Sequence, residues 1–250
     1  MNSFLKRFLA VLSYKEPKVN FNQEKPYLIL NGFLETLKLI LPATFFSFVI
    51  GLFLGIFLYI IRIKKTYFKN KIYYLINFIF NLLMSAPFLA FSILIIKKFL
   101  GPYFNLYYGF EAAFFCLIFI LIPIFARNCE QIFLELDENI YETSYMLGAN
   151  RFQFVRYFII RESIQSIILK TISLFISCLA YASVLGPIGI NGLGEIVYRY
   201  GLQSPPYHRQ ANNFTNEDVI FVCIFINLLM VCIIYLIGII INNIINNNKK

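Results

Sequence analysis

The stretch Glu142-Thr143-Ser144-Tyr145-Met146-Leu147-Gly148 reads as a short capped helix set between two runs apolar enough to cross a membrane. Asn139 is placed to cap its start, and Glu142, three residues on, to reach back to the Asn139 amide in a capping box. Gly148 suits the left-handed turn that ends it. Asn150 then caps a second helix that runs through Phe154, Tyr157 and Ile160 toward the next apolar run. The expected product is a helix, a sharp turn and another helix at the membrane surface, with Tyr141, Tyr145, Met146 and Leu147 outside the bilayer. Those side chains need a cover, which is either a protein groove or the lipid headgroups.

Composition explains why a membrane enters at all. Of 250 residues, 59% are hydrophobic and 14% charged, with 29 Phe, 17 Tyr and no Trp, an apolar excess that a soluble domain has too little interior to hide. Cys116, Cys178, Cys223 and Cys232 fall inside apolar runs and Cys129 just beyond one, so they read as small fillers rather than a disulfide framework. The single histidine, His208, has no cysteine or carboxylate at ligand spacing, and no metal site is expected. The net charge of +9 gathers beside apolar runs instead of interleaving with exposed aromatics, which points to membrane orientation and away from nucleic acid.

Runs long enough for roughly 30 Å of hydrocarbon lie at 39–61, 72–96, 112–126, 163–185 and 219–241, giving five spans. Between the first two stand Arg62, Lys64, Lys65, Lys69 and Lys71 without an acidic residue, so this loop is expected in the cytoplasm. Alternation then places the capped helix, Arg127, Arg151, Arg156, Arg161 and the C-terminal Lys249 and Lys250 inside. It also places the N-terminal tail outside, although that tail carries Lys6, Arg7, Lys15, Lys18 and Lys25. Residues 4–12 are too short to span and read as an interfacial helix, followed by a linker with Pro17; residues 242–248 read as a frayed Asn-rich end. Residues 1–30 thus form a tail, 31–245 the transmembrane domain and 246–250 a polar terminus.

Inside the spans, Asn77, Asn81 and Ser85 share one helix face, and so do Ser173, Ser177 and Tyr181. Polar groups facing lipid are costly, so each stripe is expected to meet another helix or a hydrated path. Gly51 and Gly55 allow close helix approach. Pro87 and Pro123 loosen their helices locally, and Lys170 is the one formal charge well inside an uncharged run. After the fourth span, Gly186, Gly189, Gly192, Gly194 and Gly201 with Pro187 rule out a continuing helix, while Ile188, Ile190, Leu193 and Ile196 call for a packed loop over its mouth.

These residues resemble the membrane permease subunit of bacterial ATP-binding-cassette importers. That family carries a cytoplasmic pattern of Glu-Ala-Ala, three residues, Gly, nine residues and Ile-x-Leu-Pro. Here Glu142 and Gly148 keep the spacing, Thr143 and Ser144 replace the alanines, and Phe158-Ile159-Ile160-Arg161 fills the final four positions, without the proline. Within the superfamily the chain is most similar to methionine-uptake permeases, through Gly148-Ala149-Asn150, Tyr181-Ala182-Ser183, Gly186 to Gly194-Glu195, Arg199-Tyr200-Gly201, and earlier Glu35-Thr36-Leu37 and Ser85-Ala86-Pro87-Phe88. Met84 stands where that family usually has arginine.

The resemblance implies an all-α integral membrane protein with five transmembrane helices of the type I importer permease fold, multi-pass in a bacterial cell membrane. It implies a coupling helix built on Asn139, Tyr141, Glu142, Thr143, Ser144, Met146, Leu147, Gly148 and Ala149. It further implies a translocation path drawing on Asn81, Ser85, Pro87, Ser173, Ser177 and Tyr181, and an outer gate at Gly186, Gly189, Gly192 and Gly194. Two copies of the chain, two cytoplasmic ATPases and an extracytoplasmic solute-binding protein are the implied partners. The chain lacks a phosphate loop followed by Lys-Ser/Thr, so ATP and Mg are expected in the ATPase and no cofactor here. Methionine is the expected substrate, with another amino acid or a dipeptide, or a scaffold that transports nothing, as alternatives. An ion-coupled transporter is disfavoured because no uncharged run holds a carboxylate at mid-membrane.

Overall fold

A computed structural model describes residues 2–15, 27–63, 67–137, 139–204 and 214–247. The Pro17 linker, Lys64, Lys65, His208, Lys249 and Lys250 lie outside the described residues. The described chain forms helices α1 (Asn2–Leu12), α2 (Leu28–Ile63), α3 (Tyr67–Ser85), α4 (Phe88–Phe104), α5 (Phe110–Leu134), α6 (Asn139–Met146), α7 (Arg151–Val184), α8 (Leu193–Tyr198) and α9 (Asn216–Asn247). Four of these, α2, α5, α7 and α9, are long and apolar enough to cross a membrane. The pair α3 and α4, broken at Ala86-Pro87, makes a fifth span if counted as one. The break falls where proline withholds an N–H from the helical ladder.

The chain divides into two compact units. The first comprises Met1–Ala43, Phe88–Leu117 and Cys178–Ile233. Here α1 lies along the start of α9: Phe8 meets Phe225 edge-on at 5.6 Å, Tyr14 meets Phe214 at 5.1 Å, and Arg7 pairs with Asp218 at 3.6 Å. The Asp218 carboxylate also accepts the Thr215 amide at 2.8 Å and its hydroxyl at 2.9 Å, closing the N-terminus of α9. The amphipathic N-terminal helix therefore has a protein surface under it.

The second unit comprises Thr44–Pro87, Ile118–Ser177 and Ile234–Lys250. In it α2 and α5 touch through glycine: a Cβ on Gly55 would sit 2.6 Å from that of Cys129 and 2.9 Å from the Ala126 carbonyl oxygen. Phe48 with Phe125 and Tyr59 with Phe133 extend this seam in both directions. Leu58, Ile61 and Tyr73 form a buried cluster backed by Ile76 and Phe80.

Three expectations need correction. Helix α2 begins at Leu28 instead of 39, because Glu35 and Lys38 sit one turn apart and pair at 2.7 Å, so charge does not end the helix. At 36 residues it is about 54 Å long, well over the hydrocarbon thickness. Helix α5 runs past 126 to Leu134, carrying Arg127 and Glu130 within it. The Asn-rich end is helical through Asn247, with Asn246 accepting a hydrogen bond from Gln165 at 3.0 Å, so it is not frayed there.

Candidate functional site

Helix α6 owes its shape to local chemistry at both ends. At the start, the Asp137 carboxylate accepts the Asn139 amide at 3.0 Å and the Asp137 carbonyl accepts that of Ile140 at 3.1 Å. Asn139 is thus the first helical residue, and its amide is taken by Asp137 in place of the expected capping box with Glu142. At the far end Gly148 adopts φ +69°, with its amide donating to Tyr145 at 3.0 Å and that of Ala149 to Ser144 at 3.0 Å. This is the paired closure of a Schellman turn, which needs the left-handed conformation. Asn150 caps α7 by accepting the Gln153 amide, while the Gln153 side chain accepts the Asn150 amide, each at 2.9 Å. Gln153, three residues after Asn150, thus completes a capping box at the start of α7.

Ser144 is buried and its hydroxyl donates to the Tyr141 carbonyl at 2.7 Å, while the Tyr141 ring stands edge-on to Phe154 at 5.5 Å. These contacts hold one face of α6 down. The other face is bare: Tyr145 is 76% exposed, Met146 87% and Leu147 71%. Glu142, Thr143 and Gly148 are exposed as well, and Ala149 is half-buried. A cavity of about 410 Å³ opens beside the helix, lined by Ile60, Ile63, Tyr141, Ser144, Tyr145, Ala149, Asn150, Arg151 and Phe154. The arrangement is a rigid apolar projection with a recess at its foot.

The same unit holds a polar chain unseen in the sequence. Glu130 is fully buried, and accepts hydrogen bonds from the Tyr73 hydroxyl and from Arg127 Nη1, the latter at 2.7 Å. Arg127 Nη1 also donates to Asn77 Oδ1 at 2.9 Å, and Arg62 Nη1 donates to the Tyr73 hydroxyl at 3.0 Å. A buried carboxylate is tolerable only when paired in this way. Arg127 and Glu130 stand one turn apart, which was the available signal, but the partners Tyr73 and Asn77 belong to another helix.

This splits the first expected stripe. Asn77 faces inward to Arg127, whereas Asn81 and Ser85 are exposed and Ser85 donates to its own helix at the Leu82 carbonyl, 2.9 Å away. Pro87 is exposed at the break. On α7, Ser173 and Ser177 donate to the carbonyls of Leu169 at 3.2 Å and Ser173 at 2.9 Å. Their hydroxyls are satisfied one turn back along their own helix and not by a neighbouring one. Tyr181, in the first unit, packs its ring 4.7 Å from that of Phe88.

The glycine-containing loop of the first unit is folded as expected of a packed structure: Ile188, Ile190, Leu193 and Ile196 are all buried. A Cβ on Gly186 would lie 2.8 Å from the Glu195 backbone, and one on Gly194 would collide with that of Ser183. Gly192 precedes α8, whose first amide, on Leu193, donates to Thr36 Oγ1 at 2.9 Å. Thr36 in turn donates to the Gly32 carbonyl at 2.7 Å. A threonine on α2 therefore caps a helix 157 residues away in sequence, an assignment that no local pattern reveals.

Known proteins share this architecture. The D-methionine transport system permease protein MetI of Escherichia coli K12 is 29% identical over 160 residues, covering 64% of this chain and 73% of that protein. A probable D-methionine permease of Pasteurella multocida is 29% identical over 168 residues, with 67% and 77% covered. Among solved structures, the inward-facing MetNI methionine ABC transporter superimposes with a TM-score of 0.78 at 27% identity, covering 88% of this chain and 96% of that one. An amino acid ABC transporter with histidines shares the fold at a TM-score of 0.63 and 18% identity. The pattern of the binding-protein-dependent transport system inner membrane component extends over residues 47–250, and the chain belongs to that family of multi-pass membrane proteins.

Proposed function

We propose that this chain is the permease subunit of an ATP-driven methionine importer, coupled to a separate ATPase through α6. The observation that carries the coupling is the bare face of Tyr145, Met146 and Leu147 on a helix fixed at both ends. Burying three such side chains in a partner groove contributes roughly 1.5–3 kcal/mol each before association costs. The methionine assignment draws on the relatives, whose names specify that substrate. Two copies would face each other across the path, and the exposed Asn81, Ser85 and Ser173, with the half-buried Ser177, support a path that a second copy completes. An extracytoplasmic binding protein would deliver the solute.

The test is uptake of labelled methionine by cells expressing the chain with its ATPase and binding protein, in competition with excess unlabelled methionine, glutamine or arginine. Uptake blocked by methionine alone is expected. Uptake blocked by another amino acid keeps the importer and refutes the substrate. Met146→Glu is expected to abolish ATPase co-purification while the permease still folds, and undiminished co-purification would refute the role of α6.

A further inference from the structure

A second recess lies in the same unit, away from α6. It encloses about 320 Å³ and is lined by Arg62, Tyr73, Tyr74, Asn77 and Arg127. Two guanidinium groups meet it, and among the described residues each gives hydrogen bonds through Nη1: that of Arg62 to Tyr73, over whose ring it also stands at 5.7 Å, and that of Arg127 to Asn77 and Glu130. Glu130 offsets one of the two positive charges, so the described lining of the recess keeps one in excess. Forked donors with a single net charge suit a singly charged phosphate diester. The surroundings add a second criterion. Leu75 and Leu82, on α3 beside or beyond Tyr74 and to one side of Asn81 and Ser85, are 59% and 53% exposed, an apolar strip leading away from the charged recess. A ligand with a phosphate and hydrocarbon tails matches both features, whereas free phosphate matches one.

We propose that Arg62 and Arg127 form a binding site for the headgroup phosphate of an anionic phospholipid, whose acyl chains lie along Leu75 and Leu82. Basic recesses at the ends of membrane helices are suited to such headgroups. The Tyr73 hydroxyl, which joins Arg62 to Glu130, holds the first guanidinium in place, and Asn77 holds the second. Glu130 keeps the site from accumulating two unopposed charges when it is empty.

The assembled transporter, purified in detergent after exposure to phosphatidylglycerol or phosphatidylcholine, tests this by native mass spectrometry of retained lipid. The wild type is expected to retain phosphatidylglycerol about tenfold better than phosphatidylcholine, the scale of one charge-assisted contact. Arg62→Gln should remove that preference, Arg156→Gln should leave it, and inorganic phosphate should not displace the lipid. Tyr74→Glu, which places a carboxylate at the mouth and gives up a ring contact with Tyr73 at 5.5 Å but none of the hydrogen bonds of the buried chain, should act like Arg62→Gln. Equal retention of the two lipids by the wild type would overturn the site. So would wild-type preference in either pocket variant, equal loss in Arg156→Gln, or displacement by inorganic phosphate.

Discussion

Replacing Gly148 separates backbone conformation from side-chain size, because the two predict different orders of damage. The residue holds φ +69°, and a Cβ built there meets nothing within 4 Å, so a side chain has room and only the backbone resists. An ordinary L-residue pays about 1–2 kcal/mol in the left-handed region, and asparagine pays less. Gly148→Asn should therefore weaken ATPase binding by no more than a few-fold, and Gly148→Ala by about fivefold to thirtyfold. Gly148→Val should be worse than Ala, since branching at Cβ aggravates the strain. Gly148→Pro removes the amide that donates to Tyr145 at 3.0 Å and forces φ near −65°, costing about 3 kcal/mol or more, a factor of at least about 100. Affinity of the purified permease for its ATPase, with uptake as a second readout, measures the series. Asparagine is larger than alanine, so damage that tracks volume would refute the conformational reasoning. Full binding by Gly148→Pro would refute the docking role itself.

Three further outcomes follow from the packing. Arg127→Met strips the buried Glu130 of its charged partner and should destabilise the chain by about 3 kcal/mol, whereas the double change with Glu130→Gln should recover part of that; thermal unfolding in detergent reads both. Gly55→Leu must displace Cys129 or the Ala126 backbone and should cost about 1–3 kcal/mol in the same assay, with an equally stable variant contradicting the close α2 and α5 seam. Thr36→Val keeps the shape but removes the oxygen that accepts the Leu193 amide, so hydrogen exchange at Leu193 should accelerate by about fivefold, corresponding to about 1 kcal/mol for a lost cap. Unchanged exchange would deny Thr36 that function.

What the sequence discloses is mainly what depends on near neighbours. Gly148 and Asn150 are legible because the turn and the cap are each closed by residues within a few positions. Even there the register shifts: Asn139 is the first helical residue and not the cap, so Asp137 takes its amide in place of Glu142. The spans are legible as apolar runs, but their ends are not, because charge stops a run on paper and does not stop a helix. Glu35 and Lys38 neutralise each other within α2, and Glu130 is accommodated in α5 by Tyr73, 57 residues distant. The cap that Thr36 gives to α8 is hidden for the same reason. The serine stripes were legible as stripes; that their hydroxyls turn back on their own helix depends on a rotamer that sequence does not specify.

That backward turn bears on how the proposed path behaves between transport events. Along α7, Ser173 and Ser177 both give their protons to a carbonyl one turn earlier. A channel wall of free hydroxyls would hold on to water, and squeezing the channel shut would mean stripping that water away. A wall that has already quenched its own donors can collapse against an apolar surface and reopen with little resistance, still offering oxygen lone pairs to a passing solute. If Ser173 and Ser177 line the path as proposed, the empty passage would rest dry and sealed, guarding the ion gradients of the membrane that houses it.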